Sequence, residues 1–175
     1  SLARLAEQLQ RARSLGQFAQ SLVRELLSFL QGTLGLFYHF NPHSNLFEPV
    51  GEYRMGATPP STYARGEGLV GRCALEREII LLDNLSPQSF CVDLGLVKTT
   101  PLAVMVIPLV FQDRCNGVVV MATFQEHTPI RRTLAEDITL LGGVTLENLD
   151  RNRRTEAVLE ETHRQAQELQ TRQQE

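Results

Sequence analysis

The chain has 175 residues, of which 42% are hydrophobic and 21% are charged, and its formal net charge is -3. This length and composition suit one globular domain with an adequate apolar core and some additional helix. The charge balance argues against a nucleic-acid partner, and no apolar run approaches the ~20 residues of a membrane-spanning helix. We therefore expect neither nucleic-acid binding nor direct membrane contact.

Residues 1–32 carry apolar side chains at alternating spacings of three and four, which predicts a helix. Up to residue 16 the apolar positions form only a narrow seam, which favours a coiled coil with a partner helix. From Phe18 the apolar face widens, as expected of a helix that packs on a globular body. Gly16 separates the two parts and, because glycine costs about 1 kcal/mol relative to alanine within a helix, is where we expect a kink.

Two predicted strands, 34–40 and 46–53, flank a cluster of turn residues and are expected to form a hairpin. After a loop rich in proline and glycine, residues 67–76 predict a short helix and residues 79–82 a short buried strand. Residues 83–100 carry mixed signals, and the pattern there predicts a loop with a helical turn.

The strongest strand patterns are 102–111 and 117–124, which are apolar on both alternating faces and so indicate central, covered strands. Pro108 conflicts with this interpretation, because proline in a sheet is normally confined to edges, bulges and strand starts. The turn between the two strands falls either at Asn116-Gly117, a favoured hairpin dipeptide, or at residues 112–114.

A long helix is predicted to begin near Pro129 and to continue to the end of the sequence. Residues 142 and 143 are both glycine and would let another helix approach closely. Several seam positions are polar, for example Asn148, and residues 151–175 are too polar for a globular core. The seam is either simply weak or is held near the edge of stability so that a change in the domain shifts its packing.

Four segments, in order and spacing, resemble the GAF domain family. Residues 66–76 (GEGLVGRCALE) and 79–83 (IILLD) resemble the middle of such domains, and residues 106–110 (VIPLV) and 117–120 (GVVV) resemble their last two strands. The resemblance covers roughly residues 17–150. It implies an α+β fold in which a central antiparallel sheet of five to six strands has helices on one side and a small-molecule pocket on the other. Long N- and C-terminal helices would flank this body.

The resemblance also implies a domain organisation and a function. Residues 1–16 would be an N-terminal coiled-coil helix, 17–150 the GAF-like domain, and 151–175 a C-terminal signalling helix similar to those that precede bacterial sensor histidine kinases. We expect a non-enzymatic sensory or regulatory domain that binds a small molecule or a partner and relays a signal through dimeric helices to an output domain. Helical patterns at both ends suggest a piece of a longer chain.

Two alternatives remain open at this stage. The domain could be a dimerisation spacer that binds no ligand, or a thiol-dependent enzyme similar to methionine sulfoxide reductases that uses Cys91. The other two cysteines, Cys73 and Cys115, are expected to be buried and inert. An odd number of widely spaced cysteines, without a signal-peptide pattern, favours a reducing compartment, and we expect a cytoplasmic protein.

Candidate site residues follow from these expectations. The pocket would be covered by residues 84–100, and aromatic or polar residues in covering loops usually orient ligands. The ligand-binding candidates are Tyr53, Arg65, Phe90 and Cys91. The expected homodimer interface consists of apolar seam residues of the terminal helices, namely Leu2, Leu5, Leu9, Ile138, Leu141, Leu159 and Leu169.

The sequence names no cofactor, catalytic residue or metal site. The four histidines are scattered and form no metal-ligand spacing. The G-x-G-x-x-G pattern of residues 66–71 follows a proline-rich loop instead of a strand, which argues against dinucleotide binding. The family's bilin-binding members carry a neighbouring Cys-His pair, and this chain has none.

Overall fold

A computed structural model describes residues 2–32, 34–51, 61–88, 91–93, 97–125 and 129–174. Its helices are α1 (Leu2–Arg11), α2 (Leu15–Leu30), α3 (Gly68–Glu76) and α4 (Pro129–Gln174). Its strands are β1 (Leu34–Asn41), β2 (Leu46–Val50), β3 (Ile80–Asp83), β4 (Val92–Asp93), β5 (Lys98–Thr99), β6 (Ala103–Phe111) and β7 (Arg114–Thr123).

Five strands form one antiparallel sheet in the order β2-β1-β7-β6-β3, and β4 and β5 form a separate two-stranded ladder. The predicted α+β class and the hairpin of β1 and β2 are therefore confirmed. The described part of 83–100 carries the end of β3, a turn at residues 87–88 and the β4–β5 ladder, and the expected helical turn stays a prediction because residues 89–90 and 94–96 lie outside the described residues.

The turn between β6 and β7 lies at Gln112 and Asp113, which have φ values of 46° and 61°. Positive φ at both central residues is the requirement of a two-residue type I′ hairpin turn. Asn116 is an extra residue within β7, because the register passes from Leu109 opposite Gly117 to Val110 opposite Cys115. The dipeptide Asn116-Gly117 therefore forms part of a bulge.

Pro108 lies in β6 at a point where, among the described residues, only β7 pairs with the strand. Its neighbour on β7 is Val118, whereas β3 pairs only with residues Ala103 to Val106 of β6. At Pro108 the central strand has therefore become a local edge, which is a position that tolerates a residue without an amide hydrogen.

The helices pack on the two faces of the sheet unequally. Helices α1, α2 and α4 cover one face, where Phe37, Ile107 and Val119 join the apolar residues of α2 and α4. The expectation of helices on one side holds for these three, whereas α3 packs on the opposite face through Val70 and Cys73. We call these the α4 face and the α3 face of the sheet.

The N-terminal helix is not continuous, contrary to the sequence prediction. The chain breaks after Arg11, and α2 restarts with Ser14 as its N-cap, whose Oγ accepts a hydrogen bond from the Gln17 amide at 3.2 Å. The break therefore precedes Gly16 and is fixed by the capping side chain. Helix α1 packs against α2 and α4 of the same chain.

This packing corrects part of the expected dimer interface. Leu5 is 0% exposed, Leu9 is 2% exposed and Ile138 is 0% exposed, and all three belong to the core of their own chain. The apolar seam predicted to contact a partner helix is covered by helices of the same chain. These three side chains are therefore not accessible to a second copy.

Helix α4 begins at Pro129 as predicted and runs without interruption for 46 residues. Its first half packs on the sheet. Its two glycines allow close contact with strand β6, whereas the sequence predicts the approach of another helix at this position. A Cβ atom on Gly143 would lie 1.9 Å from the carbonyl oxygen of Val110. From residue 151 to residue 174 every position of α4 is exposed.

Candidate functional site

Arg65, one of the ligand-binding candidates, is engaged within the protein on the α3 face. Its guanidinium carbon lies 5.0 Å from the ring centre of Phe40 and 5.2 Å from that of Phe47. Its Nη1 donates hydrogen bonds to the carbonyl oxygens of Cys115, at 3.0 Å, and Ala74, at 3.4 Å. These contacts attach the loop before α3 to β1, β2 and β7.

The other three candidates do not assemble with Arg65 into a described site. Cys91 is exposed at the start of the β4–β5 segment. Tyr53 and Phe90 lie outside the described residues. The covering segment 84–100 is described only in part, and the ligand pocket implied by the resemblance remains a prediction.

Aromatic side chains fill the α3 face beside Arg65. The rings of Tyr38 and Tyr63 meet edge to face with centroids 5.6 Å apart, and those of Phe40 and Phe47 lie 5.2 Å apart. Burial raises the pKa of the Tyr38 hydroxyl above its ordinary value, and the neighbouring Tyr63 adds to the shift. Tyr38 therefore remains neutral and acts as a packing residue.

The glycines of the G-x-G-x-x-G segment allow the sharp turn and the close packing with which α3 begins. Gly66 and Gly68 adopt φ values of 91° and 60°, which favour glycine. A Cβ on Gly71 would lie 2.0 Å from the carbonyl oxygen of Ala64, so the helix could not approach the loop this closely with a side chain there. The described strands pair only in the antiparallel sense, so no βαβ unit surrounds this segment within the described residues.

Cys73 and Cys115 are buried, as expected from the sequence. Burial raises the pKa of the Cys73 thiol above its ordinary value and that of the Cys115 thiol to about 11. Both thiols donate to backbone carbonyls, Cys73 to Glu78 at 3.3 Å and Cys115 to Gly117 at 3.1 Å. Thiols that keep their protons are poor nucleophiles, so these two cysteines are structural.

A cavity of about 510 Å³ lies on the α4 face, at the point where α4 leaves the sheet. It is bounded by the β1–β2 hairpin, the start of β7, the first residue of α2 and the turn of α4 that follows its last buried residue, Leu149. Its charged and ionisable lining residues include His39, Glu48, Arg114, Asp150, Arg153 and Arg154.

A histidine–carboxylate contact joins the sheet to α4 inside this cavity. Nε2 of His39 lies 3.0 Å from Oδ1 and 3.1 Å from Oδ2 of Asp150. The His39 and Asp150 side chains are only 12% and 14% exposed. We call this contact the junction pair, because it links β1 to α4 at the boundary between the buried and exposed halves of the helix.

The remaining charged groups of the cavity are unequally paired. Glu48 accepts hydrogen bonds from Ser44 Oγ at 2.8 Å and from Asn41 Nδ2 at 3.2 Å, and these bonds lower the pKa of its carboxyl group. Arg153 approaches Asp150 only to 4.0 Å. The Arg114 side chain forms no hydrogen bond or ion pair with any residue in the described ranges, so its guanidinium is available to a ligand.

Sequence reasoning missed this cavity, because its parts are distant along the chain. The residues of the junction pair are separated by 111 positions. The only local signal is strand alternation, which puts His39 on the same face as buried Phe37. In β2, Glu48 lies directly opposite His39 and so also faces α4.

The exposed half of α4 carries the part of the expected dimer seam that remains accessible. Leu159 and Leu169 are 55% and 61% exposed, whereas Leu2 and Leu141 are half-buried against their own chain. Val158 adds a third exposed apolar side chain, at 65%. Exposed positions 144, 148, 151, 155, 158, 162, 165 and 169 alternate in steps of four and three along α4, and Leu159 lies beside this row.

No group of three or more histidine, cysteine, aspartate and glutamate side chains in the described ranges could hold a metal ion. No helix among the described residues combines the length and apolar character needed to cross a membrane.

Solved structures of GAF domains share this fold at low sequence identity. The GAF domain of a phosphoenolpyruvate-protein phosphotransferase from Coxiella burnetii is 16% identical, with a TM-score of 0.69 over 87% of this chain and 94% of its own. The GAF domain of the potassium sensor histidine kinase KdpD from Escherichia coli is 16% identical, with a TM-score of 0.63 over 88% and 96%. Free methionine-R-sulfoxide reductase from Neisseria meningitidis is 12% identical, with a TM-score of 0.66 over 86% and 89%.

The family comparison agrees with the structural one. A search of curated proteins finds no match to this chain. The family model GAF_2, which describes the GAF domain, matches residues 12–147. This range includes α2, the whole sheet and the part of α4 that packs on it. The chain therefore belongs to the GAF domain family.

Proposed function

We propose that this GAF domain is a non-enzymatic regulatory module that transmits changes in its body along α4 to an output region. The observation that carries this proposal is the continuity of α4. Its first half is packed on the sheet, and the same helix continues through residues 151–174 with every position exposed. Because an unbroken helix is stiff, a shift of the packed half would be felt in the exposed half.

The exposed half of α4 requires a partner to be stably helical. Most helical stability in proteins comes from packing of an apolar face, and unpacked helices are marginal in water. Val158, Leu159 and Leu169 are more than half exposed and lie on one side of the helix. A second copy of α4 would cover them in a parallel pair. The polar residues at the other seam positions would keep this pair weak enough to shift in response to the body.

Sedimentation velocity of the full chain tests the pairing. We expect a dimer at micromolar concentration, and a monomer for the double variant Val158→Glu and Leu169→Glu, because charges would then enter the seam. The matched control is Leu102→Glu, which alters a side chain 52% exposed on the body and is expected to remain dimeric. A monomeric parent chain, or a double variant as dimeric as the control, would contradict the proposal.

The proposed output is a signalling domain of the histidine kinase type that acts in the cytoplasm. Three observations support it: the polar C-terminal helix, the fold shared with the GAF domain of the KdpD sensor kinase, and the three free thiols. The signal would be a small molecule or a partner that contacts the body.

A second candidate, a dimerisation spacer that binds no ligand, is favoured by the side chains that fill the α3 face. Arg65 and the ring pairs Tyr38–Tyr63 and Phe40–Phe47 occupy the space between the loop and the sheet. Native mass spectrometry of gently purified chain discriminates the two. A reproducible added mass supports ligand sensing, and a clean dimer supports the spacer.

The thiol-enzyme alternative rests on the exposure of Cys91 and is tested separately. Reduction of methionine sulfoxide by the chain, lost in Cys91→Ser and retained in Cys73→Ala, would overturn the proposal of a non-enzymatic domain. We expect no such reduction, because the remaining two thiols are buried and protonated and so provide no accessible second cysteine.

A further inference from the structure

The cavity at the junction pair has the volume of a small-molecule binding site. Its volume of about 510 Å³ falls within the range of about 300–1,000 Å³ that is typical of small-molecule pockets. It lies on the α4 face, whereas the pocket implied by the GAF resemblance lies on the opposite side of the sheet. Residues of three strands and two helices bound it, so a ligand there would contact strands and helix together.

The charges that line the cavity favour an anion. Three arginines, Arg114, Arg153 and Arg154, face two carboxylates, those of Glu48 and Asp150, in a chain whose overall net charge is negative. Both carboxylates already accept hydrogen bonds from neighbouring side chains. The arginine side chains of the cavity therefore have fewer hydrogen-bond partners within the protein than its two carboxylates.

The state of each arginine supports this reading. The Arg114 side chain has no hydrogen-bond or ion-pair partner among the described residues, and Arg114, the first residue of β7, lines the cavity. Arg153 reaches Asp150 only at 4.0 Å and is 46% exposed. Arg154 is held near Glu147 at 3.6 Å. Arg114 and Arg153 are therefore the two guanidinium groups free to turn towards a bound anion.

The geometry points to a binding site for a small anion bearing carboxylate or phosphate groups, held between Arg114 and Arg153. Guanidinium groups bind both kinds of anion through paired charge-assisted hydrogen bonds. An anion at this place would compete with Asp150 for Arg153 and for His39, and so loosen the junction pair. The consequence for the exposed half of α4 rests on the proposed function, whereas binding itself does not.

Isothermal titration calorimetry of the full chain with inorganic phosphate and with malonate tests the site, at ionic strength held constant with sodium chloride. The cavity variants are Arg114→Gln and Arg153→Gln. The control is Arg72→Gln, which removes an exposed arginine of α3 whose ion pair in the described part of the chain is with Glu76. Selective labelling of the histidines adds an NMR signal for His39.

We expect saturable binding of at least one probe, weakened about tenfold by each cavity variant and unchanged in the control, because each variant removes a charge-assisted hydrogen bond. The His39 signal should shift on binding. Preference for phosphate over malonate would identify a phosphorylated ligand, and the reverse a carboxylate.

The proposal is overturned if neither probe saturates up to about 10 mM, where even a millimolar site would be mostly filled. Equal weakening by all three variants would also overturn it, because the effect would then reflect overall charge. Binding that leaves dimerisation through α4 unchanged would support the anion site while counting against the proposed relay.

Discussion

The contact of α4 with β6 at Gly143 gives the most quantitative prediction. In Gly143→Ala the added Cβ would lie 1.9 Å from the carbonyl oxygen and 2.4 Å from the carbonyl carbon of Val110. Both atoms belong to the backbone of β6, which is held in the sheet on its other side by β7. Restoring an ordinary contact of 3.4 Å to that oxygen requires α4 to move about 1.5 Å away from the sheet.

The expected change in the free energy of unfolding combines an overpacking penalty with the higher helix propensity of alanine. Overpacking a well-packed interior costs typically about 1–3 kcal/mol, and here the obstacle is backbone that cannot turn aside. Replacing glycine by alanine within a helix stabilises the helix by up to about 1 kcal/mol, which offsets part of this penalty. We therefore expect the free energy of unfolding to fall by about 2 kcal/mol, which lowers the melting temperature by roughly 4–8 °C for a chain of this length.

Two other glycines provide matched controls in the same assay, urea and thermal unfolding followed by circular dichroism. Gly142→Ala would place its Cβ 2.7 Å from Cδ2 of Leu109, the end of a flexible side chain, and should cost less. Gly16→Ala meets no atom closer than 4.0 Å and should be neutral or slightly stabilising. If Gly143→Ala proves as stable as Gly16→Ala, the close seating of α4 on β6 is refuted.

Three further predictions concern the N-cap and the thiols. Ser14→Ala should reduce the free energy of unfolding by about 1 kcal/mol in urea titrations, because the Gln17 amide loses its acceptor, and an unchanged value would refute the cap. In the native chain at pH 8, a thiol reagent should modify Cys91 rapidly and the buried Cys73 and Cys115 only on unfolding, whereas rapid modification of all three would contradict the burial. Stability should decline as pH rises from about 9 towards 11, because the unfolded Cys115 thiol loses its proton first while its folded pKa is about 11, and the decline should be smaller in Cys115→Ala.

The sheet and α3 were predictable from sequence because their signals are local. Alternation of apolar residues defined the strands, and the glycines of 66–71 marked the start of α3. The position of the β6–β7 turn was ambiguous because Asn116-Gly117 resembles a turn dipeptide, whereas Gly117 is glycine because α4 packs closely against it. A Cβ there would lie 2.7 Å from Cδ2 of Leu146, so the residue is glycine where α4 crosses β7.

The cavity and the partner that covers the N-terminal helix could not be predicted, because both depend on which surfaces meet in space. A narrow apolar seam looks the same whether a second chain or the chain's own α2 and α4 will cover it, and burial of Leu5 decides between them only in the fold. His39 and Asp150 lie on β1 and α4, and neither has a motif that marks it as half of a pair. Of the ligand candidates, Arg65 is the one whose contacts the structure describes, and these contacts are internal.

The central claim, that the seating of α4 on the body governs the pairing of its exposed half, is tested most directly by a distance between copies. A spin label at Thr162→Cys, in a Cys91→Ser background, reports this distance by pulsed electron paramagnetic resonance, because the other two cysteines are buried. Our account predicts a short, defined distance between copies in the parent chain and a shifted distribution when Gly143→Ala is added. No distance between copies, or the same distribution with and without Gly143→Ala, would contradict it.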